Sequence, residues 1–99
     1  MKHIVKECGP GWDRLVDPLI ERCRAEGVEI LQIKEKFGSL RFYVGEASEE
    51  LHDAVSQAEF DSQRICEQCG EPGICRSDRG WLRTLCDSCE LNRRNKKLV

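Results

Sequence analysis

The residues with the clearest chemistry in this chain are two pairs of cysteines. Cys66 and Cys69 enclose two residues, Cys86 and Cys89 enclose two more, and sixteen residues separate the two pairs. A two-residue spacing lets a tight turn aim both sulfurs of a pair at one point, and four thiolates complete the tetrahedron that Zn²⁺ prefers. We therefore predict that these four cysteines hold one Zn²⁺ per chain.

This ligand set predicts a structural metal rather than a catalytic one, because four cysteines leave no open position for water. The alternatives are two disulfides or a redox C-x-x-C motif, but no thioredoxin-like βαβ pattern surrounds either pair. An HNH-type nuclease would need a histidine to activate water, and residues 70–90 contain none. We therefore expect no enzymatic activity.

Short elements are expected to position the four sulfurs. Gly70 follows the first pair and can supply the positive φ that such a turn requires. Residues 74–77 and 81–85 indicate two short strands, and the residues after Cys86 indicate a helix whose N-terminus stabilises thiolates. A turn, a hairpin and a helix in this order predict a treble-clef zinc finger over residues 65–99.

The region before the finger, residues 1–64, begins with a pattern typical of a helix. Apolar residues, Cys23 among them as a core residue, recur with helical spacing over residues 12–26. Pro18 predicts an irregularity within this helix, and Gly27 is placed to end it.

A β-hairpin and a second helix complete this region. Residues 28–33 and 40–44 are rich in β-forming side chains, and the polar residues 34–39 predict the connection between them. Ser48 is a candidate N-cap for a helix that runs to about residue 63. We therefore predict an α+β fold, a helix–hairpin–helix region at 1–64 with the zinc finger packed on it as one compact unit.

Composition places limits on compartment and partners. The chain has seven cysteines, no apolar leader at its start and no apolar run long enough to span a bilayer. These features predict a cytoplasmic protein without membrane contact, in a compartment where thiols stay reduced. The net charge is −2, divided into −4 over residues 1–65 and +2 over residues 66–99. The overall positive field of a typical nucleic-acid-binding protein is therefore missing.

Besides the core residue Cys23, two further cysteines, Cys8 and Cys75, lie outside the two pairs. Cys75 lies six residues after Cys69 and is either a half-buried hairpin thiol or an alternative ligand. Cys8 and His3 supply two candidate ligands, which are too few for a second metal site.

Exposed aromatic and basic side chains are the candidates for partner binding. Trp81 either anchors a partner or packs the finger on the hairpin, and the basic run at residues 93–97 either contacts phosphates or offsets a helix dipole. The candidate residues are Tyr43, Arg76, Arg79, Trp81, Arg83, Arg93 and Arg94. Acidic side chains in residues 46–61 could also mimic nucleic acid, although a solvated helix face is the preferred explanation.

Three segments of the chain resemble small, largely uncharacterised bacterial and prophage proteins. They are Gly11-Trp12, residues 34–44 with the sequence KEKFGSLRFYV, and the stretch from Trp81 to Asp87. The resemblance covers most of the chain and implies a phage or mobile-element setting. The final ligand in that group is often a histidine, where this chain has Cys89.

A narrower resemblance covers residues 65–97, with CEQC at 66–69 and CDSC at 86–89. This segment is similar to the four-cysteine finger of the DksA/TraR family, whose members bind RNA polymerase and reach into its secondary channel. A helix–hairpin–helix pattern stands here in place of the long helical region of that family.

These observations favour a non-enzymatic, zinc-stabilised interaction module of phage or prophage origin. We expect it to bind and inhibit a host protein complex, such as a defence or transcription machine. The alternative is a nucleic-acid-binding finger or a regulator similar to DksA/TraR.

Overall fold

The computed structural model describes residues 6–77 and 82–97, except for the side chains of 93–97. It contains a three-stranded sheet, helices and a small two-stranded ribbon. The mixture of helices and strands confirms the α+β class. The elements are β1 (Lys6–Glu7), α1 (Asp13–Glu26), β2 (Ile30–Lys36), β3 (Ser39–Val44), α2 (Glu49–Ser62), β4 (Ile74–Arg76), β5 (Arg83–Leu85) and α3 (Asp87–Lys97).

The first helix forms as its apolar spacing predicts. A single 3₁₀ turn at Pro10–Trp12 leads directly into α1, and Pro18 lies inside α1 without ending it. Gly27 closes the helix in the left-handed conformation with φ of 67°, and the next N–H, from Val28, donates to Cys23 at 2.8 Å. Glycine adopts this conformation without steric cost, so the predicted end of the helix is confirmed.

The predicted hairpin is confirmed, but its connection is shorter than the six residues expected. Strands β2 and β3 are antiparallel and leave only Phe37 and Gly38 as the turn. Both turn residues have positive φ, 55° and 80°, as a tight two-residue hairpin requires. The carboxylate of Glu35 accepts the Gly38 N–H at 2.8 Å and fixes the turn.

The first strand, β1, was not predicted. It pairs in parallel with β2, with Lys6 opposite Ile33 and Glu7 opposite Lys34. Lys6 also reaches α1, where its ammonium lies 2.7 Å from the carboxylate of Asp17. These contacts attach the start of the described chain to both layers of the fold.

The core lies between one face of this sheet and the two helices α1 and α2. Helix α2 begins at the predicted N-cap, Ser48, whose hydroxyl accepts the Leu51 N–H at 3.2 Å. Phe60, near the end of this helix, is half exposed and is not among the core residues. The buried core residues are Trp12, Val16, Leu19, Cys23, Ile33, Leu40, Phe42, Leu51, Val55 and Ala58.

Side chains of α2 cover the outer edge of β3. The Leu40 N–H donates to the Ser62 hydroxyl at 2.8 Å, and the Phe42 N–H donates to the Glu59 carboxylate at 2.9 Å. These two N–H groups point away from β2, so the helix satisfies donors that a further strand would otherwise bind.

The chain after α2 forms a turn, a two-stranded ribbon and a helix in the predicted order. Strands β4 and β5 are antiparallel, with Cys75 opposite Thr84, and α3 follows directly after Cys86. The Thr84 hydroxyl donates a hydrogen bond to the carbonyl of Gly38, which joins the ribbon to the turn of the first hairpin. Within residues 6–77 and 82–97, none of the helices combines the length and apolar character needed to cross a bilayer.

Candidate metal centre

The two cysteine pairs meet at one point in the structure. The sulfur atoms of Cys66, Cys69, Cys86 and Cys89 all lie within 4.8 Å of one another, and those of Cys69 and Cys86 are 3.6 Å apart. A tetrahedron with metal–sulfur bonds of about 2.3 Å has sulfur–sulfur edges of about 3.8 Å. The donor set and its spacing therefore fit a tetrahedral metal ion, as the sequence predicted.

Backbone hydrogen bonds shape the turn that carries the first pair. The Gly70 N–H donates to the Cys66 carbonyl at 2.9 Å, and the Cys66 N–H donates to the Glu71 carbonyl at 2.7 Å. Gly70 has φ of 84°, which confirms the positive φ expected at this position. The chain thus reverses within a few residues and turns both sulfurs inward.

The second pair lies at the start of α3. Cys86 immediately precedes the helix, Cys89 lies in its first turn, and the Cys89 N–H approaches the Cys86 sulfur at 3.4 Å. Free N–H groups and the positive end of the helix dipole favour negative charge here. The helix therefore supports thiolates at both positions.

The thiols of the cluster differ in acidity. Burial opposes ionisation of Cys66, but hydrogen bonds from backbone groups of both cysteine pairs outweigh it and lower the pKa of this thiol to about 6. Burial and hydrogen bonding to the neighbouring sulfurs raise the pKa of Cys89. Four thiolates in this volume would repel one another, so holding all four together requires a cation.

The segment before α1 packs directly on the first cysteine turn. The Gly11 N–H donates to the Glu67 carbonyl at 2.9 Å, and the indole N–H of Trp12 donates to the Ile65 carbonyl at 2.8 Å. A Cβ on Gly11 would overlap the carbonyl oxygen of Cys66 and lie only 2.7 Å from the carbonyl carbon of Glu67 and from the Gly70 nitrogen. Only a glycine allows this approach of the two backbones, which no local pattern in the sequence predicted.

Glu67, between the cysteines of the first pair, is a buried acid that the sequence pattern did not predict. Its side chain is 6% exposed, and Arg83 lies 3.7 Å away as its charge partner. Burial, followed by the nearby charge of Glu35, raises the pKa of this carboxyl to about 7. Nothing in the local pattern separates this residue from Gln68, which is exposed, because the burial depends on long-range packing.

The other cysteines lie outside the cluster. Cys75 is exposed, so the prediction of a half-buried thiol is wrong, and a Cβ on Gly38 would lie 3.2 Å from its sulfur. The thiol is exposed because the short ribbon of β4 and β5 leaves that position at the surface. Cys23 is fully buried in the core as predicted, Cys8 is half-buried against the core, and His3 lies outside the described residues.

The predicted partner-binding residues fall into three groups. Tyr43 is 41% exposed on the sheet. Arg76 and Arg83 both have internal partners: the Arg76 guanidinium lies 2.7 Å from the Asp87 carboxylate, and Arg83 pairs with Glu67. Arg79 and Trp81 lie outside the described residues, as do the side chains of Arg93 and Arg94.

Comparisons of the chain with protein-family models, with curated proteins and with solved structures find no match. The metal centre is therefore interpreted from its own geometry.

Proposed function

We propose that this chain is a non-enzymatic binding module whose finger is stabilised by one structural Zn²⁺. Cys66, Cys69, Cys86 and Cys89 are its ligands, arranged as a treble clef, with the first pair on a turn and the second at the start of α3. The observation that carries the proposal is the meeting of four sulfurs within 4.8 Å, contributed by two segments far apart in sequence.

The chemistry of the donor set supports zinc and a structural role. Four thiolates select zinc or iron–sulfur chemistry over the hard cations magnesium and calcium, and a tetrahedral set of four leaves no coordination position for a substrate. A metal held in this way contributes its binding energy to folding, which a chain of 99 residues needs more than a large domain does.

Metal analysis and chelation of the purified full chain test this proposal. We expect one zinc per chain, and removal of the metal by a chelator should lower the thermal midpoint and the helical circular dichroism signal. Cys66→Ser should reduce the zinc content, whereas Cys75→Ser, which changes an exposed thiol outside the cluster, should leave it unchanged. Absence of stoichiometric metal, or unchanged stability after chelation, would contradict the proposal.

The identity of the partner stays a prediction. The resemblances favour a host protein complex in a phage setting. Nucleic acid is the alternative, and the two described arginines of the finger, Arg76 and Arg83, are already engaged by internal carboxylates.

A further inference from the structure

The outer face of the three-stranded sheet presents side chains that neither the core nor the metal centre uses. The register pairs Lys34 with Arg41 and Gln32 with Tyr43, so these four side chains leave the sheet on the same side. The opposite side faces the helices. We define the outer sheet face as Gln32, Lys34, Lys36, Arg41 and Tyr43.

This face is positively charged although the chain as a whole carries −2. Lys34, Lys36 and Arg41 form no ion pair with any carboxylate of the described residues. One acid, Glu7, is the register neighbour of Lys34 on β1, which leaves an excess of two positive charges from three cations and one anion. A negatively charged partner therefore complements this surface.

Exposed aromatic rings accompany the cations. The Lys34 ammonium lies 5.8 Å from the centre of the Tyr43 ring, and the Lys36 ammonium lies 5.5 Å from the ring of Phe37 at the hairpin turn. Tyr43 is 41% exposed and Phe37 is 65% exposed. The six residues from Gln32, opposite Tyr43, to Phe37 span roughly 17 Å, about the length of five steps between stacked nucleotides.

We infer that the outer sheet face binds single-stranded nucleic acid. Tyr43 stacks on a base, Phe37 contacts a second base near the turn, and Lys34, Lys36 and Arg41 contact phosphates. Aromatic rings interleaved with cations on an open sheet are the features that bind unpaired bases, whose faces are accessible only in a single strand. An acidic protein surface would use the cations but would leave the exposed rings without a role.

This inference rests on the proposed binding module and assigns nucleic acid, the alternative partner class given above, to its outer sheet face. It places the nucleic-acid contact on the hairpin, whereas the alternative function inferred from the sequence placed it on the finger. The two proposals fail independently, because zinc content is measured without nucleic acid and oligonucleotide binding is measured on chain of known zinc content.

Fluorescence anisotropy with a labelled oligothymidylate of about twelve nucleotides tests the inference, since single-strand sites span about 4–16 nucleotides. We expect Tyr43→Ala to weaken binding by about tenfold or more and Tyr43→Phe to retain it, because stacking requires the ring and not the hydroxyl. Lys34→Glu and Arg41→Glu should each reduce the salt slope of log K by about 0.7 or more.

A third aromatic–cation pair, at the C-terminal end of α2, provides the matched control. The Arg64 guanidinium lies 4.8 Å from the ring of Phe60, which is 50% exposed. Phe60→Ala and Arg64→Glu remove the same chemistry from another surface and should leave oligonucleotide binding unchanged. Binding is compared between variants that have the same zinc content and the same circular dichroism spectrum. If Tyr43→Ala does not fold, Lys34→Glu is used to test the inference.

Three results would overturn the inference. The first is an absence of oligothymidylate binding by the zinc-loaded chain. The second is equal weakening by the Phe60 and Tyr43 variants. The third is binding of duplex DNA or of a polyglutamate peptide at least as tight as that of the oligonucleotide, which would assign the face to general polyanion or acidic-protein contact.

Discussion

Replacement of Gly11 by alanine should damage the metal centre from outside its ligand set. Gly11 belongs to the turn before α1, and its φ is not positive, so an alanine there meets no backbone strain. The added methyl group would instead overlap the Cys66 carbonyl oxygen and lie 2.7 Å from two more backbone atoms of the first cysteine turn, whereas ordinary carbon contacts lie near 3.5–4.0 Å. The two segments must therefore separate by about 1 Å or more.

The cost of this separation follows from the contacts that it breaks. The bonds from the Gly11 N–H to Glu67 and from the Trp12 indole to Ile65, at 2.9 and 2.8 Å, would both be lost or stretched. At about 1 kcal/mol for each bond and 1–3 kcal/mol for the overpacked contact, we expect a loss of about 3–5 kcal/mol of unfolding free energy. Because the displaced turn carries Cys66, the zinc dissociation constant should rise by about tenfold or more.

Gly45→Ala provides the matched control for this experiment. Its added methyl group would lie 3.8 Å from the nearest atoms, those of Glu29, which is ordinary contact. Urea denaturation of the zinc-loaded variants and competition with a chromophoric chelator measure stability and metal affinity separately. If Gly11→Ala is as stable as Gly45→Ala and binds zinc as tightly as the wild type, the contact between these backbones does not support the metal centre.

Three further outcomes test the packing. Burial raises the pKa of the Cys23 thiol above its ordinary value of 9.0. The buried neutral thiol therefore contributes its full stability to the fold below pH 9.0, and this stability is lost as the pH rises through the raised pKa. Cys23→Ala should therefore lose less stability than the wild type in urea denaturation above pH 9.0. Ser62→Ala should lower the free energy of unfolding by about 1–3 kcal/mol, because it leaves the buried Leu40 N–H without an acceptor, whereas exposed Ser56→Ala should be nearly neutral. Iodoacetamide should modify Cys75 in the folded, zinc-loaded chain before Cys23, as read by peptide mass spectrometry, and equal rates would contradict the burial described above.

The sequence predicted those parts of the fold that carry local signals. Gly27 and Ser48 mark helix ends through their own backbone and side-chain chemistry, and the C-x-x-C spacing restricts where the sulfurs can point. The hairpin was predicted with too long a connection, because Lys34 and Lys36 are polar. In the structure both lysines belong to β2, where their side chains lie on the outer face of the sheet. The turn itself consists only of Phe37 and Gly38.

The features that the sequence did not predict depend on distant segments. Strand β1 is only two residues of charged sequence, Lys6 and Glu7, and exists because β2 is available beside it. The close approach of Gly11 to the first cysteine turn is equally non-local. Two glycines flanking Pro10 immediately before a helix are a signal that could have suggested a close backbone contact there, but not its partner.

The cover that α2 places over β3 has a consequence for self-association. An open strand edge offers unpaired N–H groups that can recruit the same edge from another molecule, which leads to ribbons and aggregates. Here Ser62 and Glu59 already occupy the outward N–H groups of Leu40 and Phe42. Two copies of the chain therefore cannot pair their β3 strands without first displacing α2. A partner can still bind the outer face of the hairpin, which this helix does not cover.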